Sequence, residues 1–180
     1  MIKTYHEAPF VPKTPLSLIV LEWSGLESTA LRGMLEYFNY RVDTHWIGSR
    51  KEFIEILKGN IPTADFLILS CHGDEKEGMY TCPDEKPLLP DEIRKASKLK
   101  NKTILSLGCA TGTDEFAAAF LDTGSSAYIA PKDYPFGNSS LLFAIHLCYQ
   151  VSQHKKPLAE AFEMAKKYEK ESSMFQLWQK

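Results

Sequence analysis

The sequence predicts an α/β fold, a mainly parallel six-stranded sheet with helices on both faces. Three observations predict it. Short, nearly continuous apolar runs recur along the chain, as strands buried on both faces require. Amphipathic stretches with helix-start signals lie between them, and strand–helix alternation implies parallel neighbours joined by crossovers. The residues with chemistry to offer stand just past the ends of these runs, where open sheets of this kind hold their ligands.

Residues 1–15 carry three prolines and little periodicity and read as an irregular lead-in, leaving 16–180 as one domain. Leu16-Ser-Leu-Ile-Val-Leu-Glu22 is the first strand. Ser24-Gly-Leu-Glu27 has the capping-box form and opens a helix in which Leu26, Ala30, Leu31, Met34, Leu35 and Phe38 share a face. Tyr40–Ile47 alternates as a second strand. Ser49-Arg-Lys-Glu52 is another capping box, starting a helix with Phe53, Ile54 and Leu57 inward, which Gly59-Asn60-Ile61-Pro62 stops. Asp65–Ser70 is a third strand and runs straight into Cys71-His72-Gly73.

After a polar stretch in which Met79-Tyr-Thr and Pro87-Leu-Leu suggest a small hairpin, Pro90 begins a short helix. Thr103–Leu107 is the fourth strand and ends at Gly108-Cys109-Ala110-Thr111-Gly112. A helix rich in alanine and phenylalanine leads to a fifth strand, Ser126–Ala130. Two helices follow, from Asn138 to about Ser152 and from Pro157 to about Lys170, the second with Leu158, Ala161, Phe162, Ala165 and Tyr168 inward. Met174–Trp178 is the sixth strand, at an edge.

Composition narrows the function. A net charge of −2 with interspersed acids and bases argues against a nucleic-acid partner. No apolar run approaches the roughly 20 residues that cross a bilayer, so no membrane role is expected. The start has an acid and a proline where a signal peptide has an apolar core, and the four cysteines are too widely spaced for a disulfide scaffold. The expected location is the cytoplasm.

His72 and Cys109 each follow a buried strand and lie about one helix-plus-strand unit apart, so neighbouring strands would bring them together. An imidazole beside a thiol accepts its proton, then serves as general acid to a leaving group. A helix beginning near Thr111–Thr113 would favour the thiolate at Cys109. The amides of Gly73 and Cys109 are the natural donors to an oxyanion.

At these residues the chain resembles the caspase-like (clan CD) cysteine peptidases. Asp65-Phe-Leu-Ile-Leu-Ser-Cys-His-Gly73 is similar to the family's histidine strand, and Thr103-Ile-Leu-Ser-Leu-Gly-Cys-Ala-Thr111 to its nucleophile strand. Gly124–Ala130, Pro157-Leu-Ala-Glu-Ala-Phe162 and Phe175-Gln-Leu-Trp178 extend the likeness, which is closest to bacterial CHAT domains and covers roughly residues 60 to 178. The resemblance implies a three-layer caspase-like sandwich, with Cys109 as nucleophile and His72 as general base and acid. It also implies a peptide or protein substrate and a possible regulatory protein partner; no cofactor is expected, and the chemistry requires no metal, although some relatives are calcium-dependent. Glu22 and Asp133, past the first and fifth strands, are candidates to bind a basic side chain before the scissile bond (P1). Two departures stand out. The last strand looks cut short at Lys180, and Thr111-Gly112 replaces the more usual small or acidic residues after the cysteine.

Two other readings compete. A degenerate caspase-like scaffold would bind a peptide or protein partner without cleaving it. Leu105–Gly112 also resembles the glycine-rich first motif of S-adenosylmethionine-dependent methyltransferases, although too few strands follow it and the acidic ribose ligand is missing. Cys71, His72 and Cys82 lack the paired spacing of a zinc site.

Overall fold

The structure, a computed structural model, describes residues 13–180. The lead-in therefore lies outside the described residues as far as position 12. The described residues form eight strands: β1 Thr14–Val20, β2 Tyr40–Trp46, β3 Phe66–Ser70, β4 Gly73–Asp74, β5 Gly78–Met79, β6 Thr103–Ser106, β7 Ala127–Pro131 and β8 Phe175–Gln179. The helices are α1 Gly25–Tyr37, α2 Arg50–Leu57, α3 Pro90–Ala96, α4 Asp114–Leu121, α5 Gly137–Ser152 and α6 Leu158–Lys166. No helix of the described residues is long and apolar enough to cross a membrane.

Six strands form one sheet in the order β2-β1-β3-β6-β7-β8, parallel except for β8. The last strand, Phe175–Gln179, pairs with the whole of β7, from Ala127↔Gln179 to Pro131↔Phe175. β4 and β5 form a small separate ladder, and the expected hairpin beyond it is reduced to one bridge, Met79↔Leu88.

Side-chain alternation along each strand assigns the two faces. Leu16, Leu18, Val20, Ile68, Leu105, Leu107 and Ile129 pack under α1, α5 and α6, where Phe143 stacks on Phe175 with ring centroids 3.8 Å apart. Ile19, Leu21, Leu67, Leu69, Ile104 and Tyr128 pack under α2, α3 and α4.

The Ser49 cap forms, its side chain accepting from the Glu52 amide at 3.2 Å. The box expected at Ser24 does not. That hydroxyl turns inward to the carbonyls of Leu21 and Ser70, each at 2.7 Å, and fastens the β1–α1 turn to β3. The buried stripe of α1 is accordingly Ser28, Leu31 and Leu35, while Leu26 is 90% exposed and Met34 and Ala30 face out. On α2 the inward residues are Phe53, Ile56 and Leu57, with Ile54 only partly covered. α6 stops at Lys166, before Tyr168 could join its buried face.

Candidate active site

The alternation that builds the core also sorts the residues at the carboxyl rim. Ile68 and Leu105 point to the α1/α5 layer, so Ser70 and His72, and Leu107 and Cys109, follow them by twos. All four line one cleft of about 120 Å³, together with Glu27 of α1, Pro135, and Ser140 of α5. β3 and β6 are direct neighbours, with Leu69 opposite Ser106, so no strand separates the histidine from the cysteine. His72 is exposed and Cys109 half-buried.

The turn that carries Cys109 is held from beneath by a closed circuit of hydrogen bonds. The Gly108 amide donates to the Ser106 hydroxyl (3.3 Å), Ser106 and Thr111 share a hydroxyl contact of 2.9 Å, and the Thr111 hydroxyl donates to the Gly108 carbonyl (2.7 Å). Since the Thr111 proton is spent on Gly108, Ser106 must be the donor to Thr111. The buried Tyr128 hydroxyl donates to the Thr111 carbonyl (3.0 Å). The amides of Ala110 and Gly112 donate to the carbonyls of Asp133 (3.0 Å) and Pro131 (2.8 Å), joining the turn to the exit of β7. Thr111, a departure from the usual pattern, is thus the residue that locks the loop. Ala110 sits at φ +52°, a left-handed conformation that costs a residue with a Cβ and persists because these bonds over-determine it.

Glycine is required here by close packing. A Cβ on Gly73 would lie 2.5 Å from the Cys109 carbonyl oxygen and 2.7 Å from the Thr111 methyl. On Gly108 it would meet the Cys71 sulfur at 2.9 Å, and on Gly112 the Pro131 backbone at 2.6 Å. Gly108 and Gly112 are therefore required by packing against the protein itself.

Two amides at the rim find no acceptor among the described residues. No acceptor among the described residues takes the Cys109 amide, which lies against its own sulfur. Met79 exchanges both of its backbone bonds with Leu88, and the Tyr80 amide donates to the His72 carbonyl, so Gly73 opposite Met79 keeps its N–H out of the ladder.

Burial raises the Cys109 thiol above the ordinary cysteine range, and the carboxylates of Glu27 and Asp133 raise it further. Its sulfur contacts the Pro135 carbonyl at 3.7 Å. The expected support from the helix after Cys109 is displaced. α4 begins only at Asp114, is capped by Thr113, and packs on the opposite face of the sheet, where Asp114 accepts from the Trp178 indole at 3.0 Å. The helix start beside Cys109 belongs to α5, through Gly137 and Ser140. Asp74 accepts from the Tyr134 hydroxyl at 2.9 Å, linking the loop after His72 to the loop after β7.

The two P1 candidates part company. Asp133 stays close to Cys109, exposed, with its carboxylate accepting from the Tyr134 amide at 2.9 Å. Glu22 does not line the cleft. It lies past β1, almost wholly buried, in a separate groove with Trp23 and Trp46. Cys71 borders the cleft but turns its sulfur to the Leu69 carbonyl and the Ser106 hydroxyl, and Cys82 turns to the Ile47 carbonyl.

No protein-family model matches the chain, and no curated protein matches it. Solved structures do. The Arg-specific cysteine proteinase gingipain R superposes with a TM-score of 0.64 at 13% identity, over 91% of this chain and 46% of its own. The complex of the pro- and mature domains of Porphyromonas gingivalis RgpB gives 0.64 at 14% identity, over 91% and 47%. The Saccharomyces cerevisiae separase–securin complex gives 0.62 at 10% identity, over 93% and 12%. The fold is that of the caspase-like cysteine proteases. This chain spans less than half the length of those matched chains.

Within the caspase-like fold, Glu27, Ser140 and Tyr134 are the rim residues that the sequence reading passed over. Glu27 was legible as a capping carboxylate only. Its signal lay in topology: a helix leaving a parallel strand starts at the carboxyl rim, so first-turn residues of helices on the cysteine's face must border the cleft.

Proposed function

We propose that the chain is a cysteine endopeptidase in which Cys109 attacks a peptide carbonyl and His72 moves the proton. The observation that carries this is the shared cleft: a thiol and an imidazole delivered to one face of one rim by adjacent strands. Because burial and nearby carboxylates hold the resting sulfur as a thiol, His72 takes its proton as the bond to the carbonyl carbon forms. The tetrahedral oxyanion receives the Cys109 and Gly73 amides. His72 then gives the proton to the departing amine, leaving a thioester that water hydrolyses. No step needs a metal or cofactor.

Asp133 and Glu27 make the cleft electronegative, which favours a basic P1 residue, the specificity that the gingipain name prints for that protein. The finer likeness to CHAT domains belongs to this proposal and rests on Asp65–Gly73 and Thr103–Thr111. A regulatory protein partner does as well, since the matched structures include a separase–securin and a pro-domain complex.

One observation favours the second reading, a scaffold that binds peptide without cutting it: the groups around Cys109 push its thiol up. Fluorogenic peptides with arginine or lysine at P1 separate the two. The peptidase reading expects turnover that falls by roughly 10³-fold or more in Cys109→Ala and in His72→Ala. Binding of the same peptides with no turnover by the unmutated protein sinks it in favour of the scaffold.

A further inference from the structure

At the other end of the same rim lies a groove of about 370 Å³ between the ends of β1 and β2, walled by Glu22, Trp23, Trp46 and Pro83. Its two indoles are turned outward, Trp23 being 75% and Trp46 55% exposed. Neither is loosely placed. Trp46 lies against Gly25, where a Cβ would be 3.7 Å from its ring, and Trp23 is held at φ +52°, strained for a bulky residue. The flanking bonds impose that strain: Ser24 to Leu21 and Ser70, and the Glu22 amide to the Thr81 carbonyl at 3.0 Å.

Glu22 is the second observation. It is only 6% exposed, and no donor among the described residues bonds or pairs with its carboxylate. Burial lifts its pKa, as the neighbouring Asp84 also does, while the His72 charge opposes both. Glu85 and Glu52 add negative charge close by, around Cys82. A largely covered carboxylate that no donor bonds is costly to keep, even with the His72 charge nearby. Beside two exposed indole faces it is complementary to one kind of group, a cation with an apolar stem.

We propose that the Glu22–Trp23–Trp46 groove binds a lysine or arginine side chain of a peptide, on the leaving-group side of the scissile bond. The register rests on the peptidase reading. His72 follows β3, which lies between β6 with its Cys109 and the β1–β2 end of the sheet. The group that protonates the leaving amine must stand on the leaving-group side, so the residues after the cut bond run over His72 toward β1 and β2. Strands lie about 4.8 Å apart and an extended chain rises about 3.4 Å per residue, which puts the groove roughly three to four residues past the bond.

The test uses octapeptides with arginine at P1 and lysine, arginine, glutamine or norleucine scanned through the four following positions. Cleavage is measured with the unmutated protein, and affinity with Cys109→Ala by isothermal titration. The inference expects a lysine or arginine preference at the third or fourth position. Norleucine there should weaken binding about tenfold, and Glu22→Gln or Trp46→Ala should abolish most of that difference. If cleavage occurs without any cationic preference after the bond, or if norleucine and lysine peptides bind equally, the groove assignment falls and the peptidase stands. If Cys109→Ala selects the cation through Glu22 and Trp46 while the unmutated protein cleaves nothing, the groove stands and the peptidase falls.

Discussion

Cys71 and Cys109 follow neighbouring strands, β3 and β6, at the same rim, yet they meet opposite environments. Cys71 continues the row of Leu67 and Leu69 into the α2/α3/α4 layer, where burial pushes its thiol up to about 12 and Ser106 lies 3.7 Å from the sulfur. Cys109 continues the row of Leu105 and Leu107 toward α1 and α5, where the layer is open and His72 shares the cleft. Their sulfurs turn to opposite layers, although Cys71 also borders the cleft. One position's difference in register turns a chemical group into packing.

The largest expected consequence is selectivity toward a small alkylating probe. At neutral pH iodoacetamide should label Cys109 at least about a hundredfold faster than Cys71, because the thiolate is the reacting form and Cys71 is both buried and held protonated. Peptide mapping after timed labelling measures the ratio. Comparable rates at the two positions would mean that the faces are not distinguished as described.

The comparison also explains what the sequence made legible. The apolar runs of β1, β3, β6 and β7 are short, flanked by turn residues and buried on both sides, so fold class and the rim positions of His72 and Cys109 could be read directly. What escaped depends on neighbours. Ser24 and Glu27 matched a capping box, but a tertiary partner, the Ser70 carbonyl, outcompeted the local bond and turned α1. Thr111 looked like a departure because its circuit with Ser106, Gly108 and Tyr128 joins parts of the chain that no local pattern connects. Glu22 follows β1 but lies in the groove of β1 and β2, since strand order, and not chain order, sets who stands beside the cleft.

A middle-sized effect sharpens the difference between the supported turn and the cleft above it. Thr111→Val keeps the buried shape but takes the acceptor from the Ser106 hydroxyl and leaves the Gly108 carbonyl only the long contact with the backbone amide of position 111, at 3.4 Å. The expected loss is about 1–3 kcal/mol of stability in denaturant unfolding. Alkylation of Cys109 should change with it, whereas Thr123→Val, which removes only bonds from a hydroxyl to the Ala119 and Phe120 carbonyls inside α4's last turn, should leave Cys109 reactivity unchanged. A Thr111→Val protein as stable as the original would show that the circuit does not hold the loop.

The smallest effect addresses the charges that border the cleft. Burial is the leading cause of the raised Cys109 thiol, and the Glu27 and Asp133 carboxylates follow in that order. Neutralising either acid removes a charge that disfavours the thiolate, so the pH profile of alkylation must move to lower pH. At pH 7.5 the rate should rise by roughly twofold to fivefold in Glu27→Gln, the size of a partly solvated charge interaction, and by less in Asp133→Asn. Raising the salt concentration should shrink both gains, since solvent-exposed charges are screened. If Glu27→Gln instead slows labelling at every pH, the carboxylate acts by holding the α5 start, where a Cβ on Gly137 would lie 2.5 Å from its oxygen. Its place in the cleft would then be structural and not electrostatic.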